Sequence, residues 1–331
     1  MPNEYCLGTA EAAKQLLRDL YADLRIKTNR WAAITKQTNQ ARMGYIGQHL
    51  VSVVTGCPGG KSGARGHDLV MPDEKYGEIK TCYRVDQLGI CPACDARVSS
   101  FELECPNCGS REITRKDDSK WLITIRNDAE FSRILDPDRY YFVLFEYISL
   151  SDSDNRDTQA TIWEVDPKNP GFSYCMIDYY LNIRTKSESH AAFDLWPYSF
   201  KFMLMKPVMI YRSVIHSDGG IDTLVFSTDG SVSADPLKPL PEYENARTCS
   251  SPVILSLYDI FKERGFTLPD QSIFQKRKKK EKLTVLEHAR ETNQVTNDDL
   301  CDLLAGIVYI PRIRDYIEEL PAALKAQLPR L

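Results

Sequence analysis

Two C-x-x-C pairs, Cys91-Pro92-Ala93-Cys94 and Cys105-Pro106-Asn107-Cys108, restrict the local fold of this chain more tightly than any other feature. Two residues between thiolates let both sulfurs of a pair turn toward one point. Two such pairs supply the four tetrahedral ligands that Zn²⁺ prefers. Gly109 and the prolines suit the tight turns that aim backbone amides at the sulfurs. A redox C-x-x-C normally occurs once, beside a strand–helix unit. The doubled spacing therefore predicts a ribbon at about 88–112 that holds one structural zinc ion through Cys91, Cys94, Cys105 and Cys108. A shell closed by four cysteines leaves no open position for chemistry. Cys6, Cys57, Cys82, Cys175, Cys249 and Cys301 stand singly and read as small buried hydrophobes in a reducing compartment.

Hydrophobic content of 43% and charged content of 27% suit a globular chain with a substantial core. No apolar run is long enough to cross a bilayer. The start, Met1-Pro2-Asn3-Glu4, lacks the basic and apolar segments of a secretion signal. The expectation is a cytoplasmic protein with no membrane partner. A net charge of −4 argues against a uniformly basic surface, although a nucleic-acid contact needs only a local one.

The pattern along the chain is mixed. Thr9 is placed to cap a helix from Ala10 to Arg25, with Leu16, Leu17, Leu20 and Leu24 at helical spacing. A second helix, roughly Arg42 to Val54, carries Ile46, Leu50, Val53 and Val54 on one side and stops at the glycine–proline run after Thr55. Strands are expected at 68–71, 78–83, 121–125, 140–147, 160–165, 200–215 and 223–226. The nearly continuous apolar run 140–147 suits a strand buried on both faces. The proline-rich stretch 231–252 reads as a linker between a domain spanning 1–230 and a helical unit at 253–331. In that unit helices are expected at 253–264, 283–291, 298–304 and 312–320, with Thr296-Asn297-Asp298-Asp299 as a cap.

The chemistry lies just before the cysteine pairs. Glu78 and Lys80, two apart on a strand, project from one face while Ile79 turns into the core. A turn centred near Asp73 brings Asp68 opposite them in antiparallel register. Two carboxylates and an ammonium then converge, as phosphodiester hydrolysis requires. Asp68 and Glu78 would bind Mg²⁺, which polarises a phosphate and acidifies a bound water. Lys80 would orient or deprotonate that water and balance charge. E-x-K alone is a common surface pattern. Here Asp68 at hairpin spacing, the glycine-rich basic loop before it and the helix before that give it context.

That succession of helix, glycine-rich loop, aspartate, hairpin and E-x-K resembles the PD-(D/E)XK nuclease superfamily. The run Glu78-Ile79-Lys80-Thr81-Cys82-Tyr83-Arg84-Val85-Asp86-Gln87-Leu88-Gly89 into the four-cysteine ribbon, then Lys116-Asp117-Asp118-Ser119-Lys120-Trp121, is similar to type II restriction endonucleases of the MamI group. The likeness is most specific over residues 43–125. It implies an α/β core, a mixed sheet flanked by helices, with the ribbon inserted after the catalytic hairpin. It also implies Mg²⁺-dependent double-strand cleavage of DNA at a short palindrome by a homodimer, with no small-molecule substrate. Asp68, Glu78 and Lys80 match the family's metal and water-activating positions. Two departures stand out: His67 replaces the proline before Asp68, and Gln48 occupies the helix position that often holds a glutamate. Gln48 is the fourth active-site candidate, suited to a metal-bound water. For His67, a strand-edge hydrogen bond is favoured over a phosphate contact.

Basic residues suited to phosphate contact are Lys61 and Arg65 in the glycine-rich loop, Arg84, Arg111 and Arg115 around the ribbon, and the run Lys276, Arg277, Lys278, Lys279, Lys280. The C-terminal helices suit either DNA binding or dimerisation. A repair or modification-dependent nuclease on the same fold, and a zinc-ribbon DNA-binding protein without catalysis, are the competing readings.

Overall fold

A computed structural model of the chain describes residues 6–35, 43–60, 67–100, 102–115, 119–148, 156–185, 192–197, 201–202, 205–227 and 251–296, with 299, 303 and 322. The chain divides into two compact units. The first comprises Met1–Trp121, Arg139–Glu164 and Met209–Ser231, and the second Leu122–Asp138, Val165–Val208 and Val232–Leu331.

The first unit opens with α1 (Ala10–Leu17), whose first turn is capped by the Thr9 hydroxyl accepting from the Ala12 amide. A π-helical turn, Arg18–Ala22, follows and runs into α2 (Asp23–Thr35). This corrects the expected inward leucine stripe. The wider turn adds a residue to the repeat, so Tyr21 and Ala22 follow Leu17 into the core. Leu20 and Leu24 rotate outward, 39% and 43% exposed. In α3 (Met43–Thr55) the apolar side is as expected, with Met43, Ile46, Leu50, Val51 and Val54 buried. Gly56 ends it in the left-handed conformation, at φ +73°.

Strands β1 (Leu69–Val70) and β2 (Tyr76–Arg84) form the expected antiparallel hairpin, with Leu69 opposite Gly77 and Val70 opposite Tyr76. Asp73 and Glu74 both take positive φ, 58° and 57°, at its tip. Such a pair matches the twist of the flanking strands. Three two-residue strands follow, β3 (Gly89–Ile90), β4 (Arg97–Val98) and β5 (Thr114–Arg115), joined in the order β4-β3-β5. Beyond them come β6 (Trp121–Ile123), α4 (Asp128–Leu135), β7 (Arg139–Tyr147), β8 (Thr158–Val165), α5 (Pro170–Tyr179), β9 (Phe193–Leu195), β10 (Val208–Ile215) and β11 (Ile221–Phe226).

Among the described residues the main sheet has the order β1-β2-β7-β8-β10-β11. It is mixed: β1–β2 and β10–β11 are antiparallel, whereas β2 and β7 run parallel from Gly77 against Arg139 to Arg84 against Glu146. Helix α3 covers one face. Tyr141, Val143 and Phe145 of β7 share a core there with Ile79, Leu50 and Val54. On the other face Trp121 packs against Phe142 at 5.0 Å and donates its indole N–H to the Val143 carbonyl. β7 is therefore buried on both sides, as its composition predicted. The strand expected from Phe200 begins only at Val208, because Lys206 adopts φ +48° and Pro207 follows. Both break a ladder.

In the second unit Asn127 caps α4 and Asn169 caps α5, each through its side-chain oxygen. Helices α6 (Ser251–Glu263), α7 (Gln271–Lys276) and α8 (Lys279–Thr292) bury Leu257, Phe261, Phe274 and Leu286. Thr296 caps the next turn as expected: its hydroxyl accepts from the Asp299 amide, and the Asp299 carboxylate accepts from the Thr296 amide. Of the expected linker at 231–252, residues 231–250 lie outside the described residues while Ser251 and Pro252 begin α6; the helix expected at 312–320 and nearly all of 298–304 also lie outside them.

Candidate active site and metal centre

Each side chain of the hairpin site is placed by backbone geometry. Along β2, Gly77 and Ile79 are buried while Glu78 and Lys80 are half-exposed. The two-residue alternation thus puts Glu78 and Lys80 on one face. Lys80 Nζ lies 2.6 Å from Glu78 Oε1. Asp68 stands one residue before β1. Its Oδ2 accepts from the Ile79 amide and its Oδ1 from Gln48 Nε2, both at 2.9 Å. Burial, and then the negative charge of Glu78, push the Asp68 carboxyl above the usual carboxylate range; the Ile79 amide, Lys80 and Gln48 oppose the shift. The structure thus brings Asp68, Glu78, Lys80 and Gln48 together. Two acids close enough for Glu78 to raise Asp68, with the Lys80 ammonium paired to Glu78, suit a divalent cation.

Two glycines set these distances: Gly47, which sequence reasoning passed over, and Gly60, read only as part of the run that ends the helix. A Cβ on Gly47 would lie 2.0 Å from Thr81 Oγ1, so a side chain there would push α3 off β2 and carry Gln48 away from Asp68. A glycine inside a helix costs about 1 kcal/mol relative to alanine, and that cost was the available signal. A Cβ on Gly60 would come just as close to the His67 carbonyl oxygen, and the Gly60 amide donates to the Asp68 carbonyl at 3.1 Å. Val70 N–H likewise donates to the Pro58 carbonyl, so residues 58–60 brace the outer side of β1. His67 stacks on Tyr76, with ring centroids 3.9 Å apart, a ring contact in place of the strand-edge hydrogen bond expected for it.

The four cysteines converge. Their sulfurs all lie within 4.8 Å of one another, with Cys91–Cys108 at 3.6 Å and Cys94–Cys105 at 3.5 Å. Metal–sulfur bonds of about 2.3 Å arranged as a tetrahedron need sulfurs roughly 3.8 Å apart. The spacing fits, and the group can hold a metal ion. Each pair turns the same way: the residue after the second cysteine, Asp95 or Gly109, takes positive φ and donates its amide to the first cysteine's carbonyl. A hydrogen bond with the Asn107 side chain holds the Cys94 thiol down at about 6. Among the described residues the buried cluster of the segment is small, Cys91, Val98 and Cys105, with Cys94, Ala96 and Ile113 packed against it. Of the single cysteines, Cys82 and Cys175 are buried as expected, Cys57 is partly buried, and Cys6 is exposed. Cys249 and Cys301 lie outside the described residues.

The basic candidates divide. Lys276, Arg277, Lys278 and Lys280 are exposed around the junction of α7 and α8, with Lys279 half-buried. Arg111 is exposed, 3.9 Å from Glu104. Arg84 and Arg115 correct the expectation of phosphate contact. Arg84 is 6% exposed. Arg115 spends its guanidinium on the carbonyls of Gln87, Ser99 and Glu102, tying β5 to the loops around it. Lys61 and Arg65 lie outside the described residues, as do Lys116, Asp117 and Asp118.

Comparison with known proteins gives the family of the chain. A model of the MamI restriction endonuclease family matches residues 30–241, more than half of the sequence. The chain belongs to that family. The type II restriction enzyme MamI of Microbacterium ammoniaphilum is 42% identical over 65 residues, which cover 18% of this chain and 21% of the other. The chain thus spans about a fifth of the length of that curated relative. No solved structure matches. Among the described residues no helix is long and apolar enough to cross a membrane.

Proposed function

We propose that this chain is a type II restriction endonuclease that cuts both strands of DNA at a short palindromic sequence, acting in the cytoplasm as a homodimer on a PD-(D/E)XK core. The observation that carries the reading is the meeting of Asp68, Glu78 and Lys80 at one end of β2, with the Ile79 amide clamping Asp68. Asp68 and Glu78 are the residues that would hold Mg²⁺. The ion, when bound, supplies a charge that polarises the scissile phosphate and acidifies a water. Lys80 orients the attacking water and offsets negative charge as the phosphorus–oxygen bond forms. Gln48 holds the Asp68 carboxylate toward the site. Cys91, Cys94, Cys105 and Cys108 would hold a Zn²⁺ that is structural, since four thiolates leave it no open position. Arg111 and the basic run from Lys276 to Lys280 supply phosphate contacts that carry no sequence information.

Plasmid cleavage with Mg²⁺ tests the assignment. Glu78→Ala and Lys80→Ala should each lower the cleavage rate by about 10³-fold or more, with DNA binding retained. Cleavage that survives either substitution, or full activity in excess EDTA, would remove these residues or the metal from the chemistry.

A further inference from the structure

We infer that the outer face of α2 is where two copies of this chain join, the helices lying antiparallel. The inference deepens the two-copy reading above by naming its surface.

Among the described residues, helix α2 meets the body of its own unit along one side only. Arg25 grips Asp86 and the Tyr147 hydroxyl, with Nη2 at 3.0 Å and 2.9 Å respectively, and Tyr21, Ala22 and Ala32 are buried. Ala32 is the one buried position that falls within α2 itself among the described residues. The opposite side carries Leu20, Leu24, Trp31 and Ile34, which are 39%, 43%, 64% and 66% exposed. Within α2 the steps of seven and three residues, from Leu24 to Trp31 to Ile34, are those of one seam in a heptad pattern, and Leu20 in the preceding turn extends the apolar side. A monomer seldom leaves a contiguous apolar stripe of this kind in water. Lys27 interrupts the seam, and its aliphatic stem can lie along it with the ammonium at the edge.

The charges name the occupant. Asp23 and Arg30 stand seven residues apart, one heptad, along the same border of the seam. Neither makes an ion pair among the described residues. In an antiparallel pair of identical helices, the same border of both copies lies side by side. Asp23 of one copy then faces Arg30 of the other, and the two-fold axis repeats the pair. The face is complementary to itself, which is what an isologous interface requires.

Sedimentation of the full chain, without DNA, tests this. The unsubstituted protein should be dimeric at micromolar concentration, and Trp31→Glu should be monomeric with unchanged helix content and metal content. Asp23→Arg alone and Arg30→Asp alone should each weaken self-association at least tenfold, because each sets like charges against one another twice. Mixing the two single variants should restore dimers, as heterodimers, because both pairs become opposite again. The proposal fails if the unsubstituted chain is monomeric, if Trp31→Glu remains dimeric, or if the mixture stays monomeric. The measurement is mass rather than cleavage, so its failure leaves the active-site assignment standing, and loss of cleavage leaves this one standing.

Discussion

The hairpin site and the four-cysteine segment both gather acidic groups that suit a cation, but they differ in what holds them up. Around the hairpin the scaffold is complete without an ion. Ile79, Leu50, Val54 and Tyr141 form a continuous core, and Asp68 is clamped by a backbone amide. The cysteine segment has three two-residue strands and a cluster of Cys91, Val98 and Cys105. There the ligands themselves are most of the core. The contrast teaches that one ion would be structure and the other chemistry, and it can be broken at either end.

The largest effect should come from the cysteines. Structural zinc in small domains supplies on the order of 10 kcal/mol of folding free energy, far more than Val98 and Ile113 can bury. Cys91→Ser, or removal of the ion, should therefore expose the amides of 89–115 to hydrogen exchange. Those of β2 and β7 should stay protected. Exchange that rises equally in both places would show that the two regions are not separate in this way.

A smaller effect concerns acidity. The folded pKa of Asp68 is raised by burial and by Glu78. Its contribution to stability is thus present in full below the ordinary carboxylate range and is lost as pH rises through the elevated value. The melting temperature of protein stripped of divalent ions should fall across that interval, and that of Asp68→Asn should not. Mg²⁺ should offset the loss, since it favours the ionised pair. Identical pH profiles for the two proteins would mean that neither burial nor Glu78 raises the Asp68 carboxyl.

The smallest effect belongs to Gln48. A hydrogen bond to a charged group contributes roughly 1.5–3 kcal/mol, and much of that is screened at a half-exposed site. Gln48→Leu should slow cleavage by about tenfold, with little change in melting temperature. A drop as large as that of Glu78→Ala would place Gln48 among the groups that touch the reaction.

Much of this was legible in the sequence because it rests on period and spacing. The E-x-K alternation, the aspartate ten residues upstream and the doubled C-x-x-C each follow from local geometry. So did the two-sided burial of β7, which its run of aromatic and branched residues announced. What escaped depended on contacts across the chain. The π turn that rotates Leu20 and Leu24 outward leaves no mark in a helical repeat. The burial of Arg84 and the three carbonyls around Arg115 needed coordinates, because arginine looks the same in a sequence whether it faces solvent or a loop. Gly47 fell between, visible as a helix-interior glycine but meaningless until Thr81 was found against it.

The bracing of β1 by residues 58–60 has a consequence for how copies of the chain meet. An open sheet margin invites a foreign strand, and joining at this one would run the seam straight past Asp68. Here that margin is already occupied by Pro58, which has no amide hydrogen to offer, and by Gly59 and Gly60, which have no side chains to interlock. This end of the sheet, where Asp68 lies, is thereby closed to strand-by-strand polymerisation.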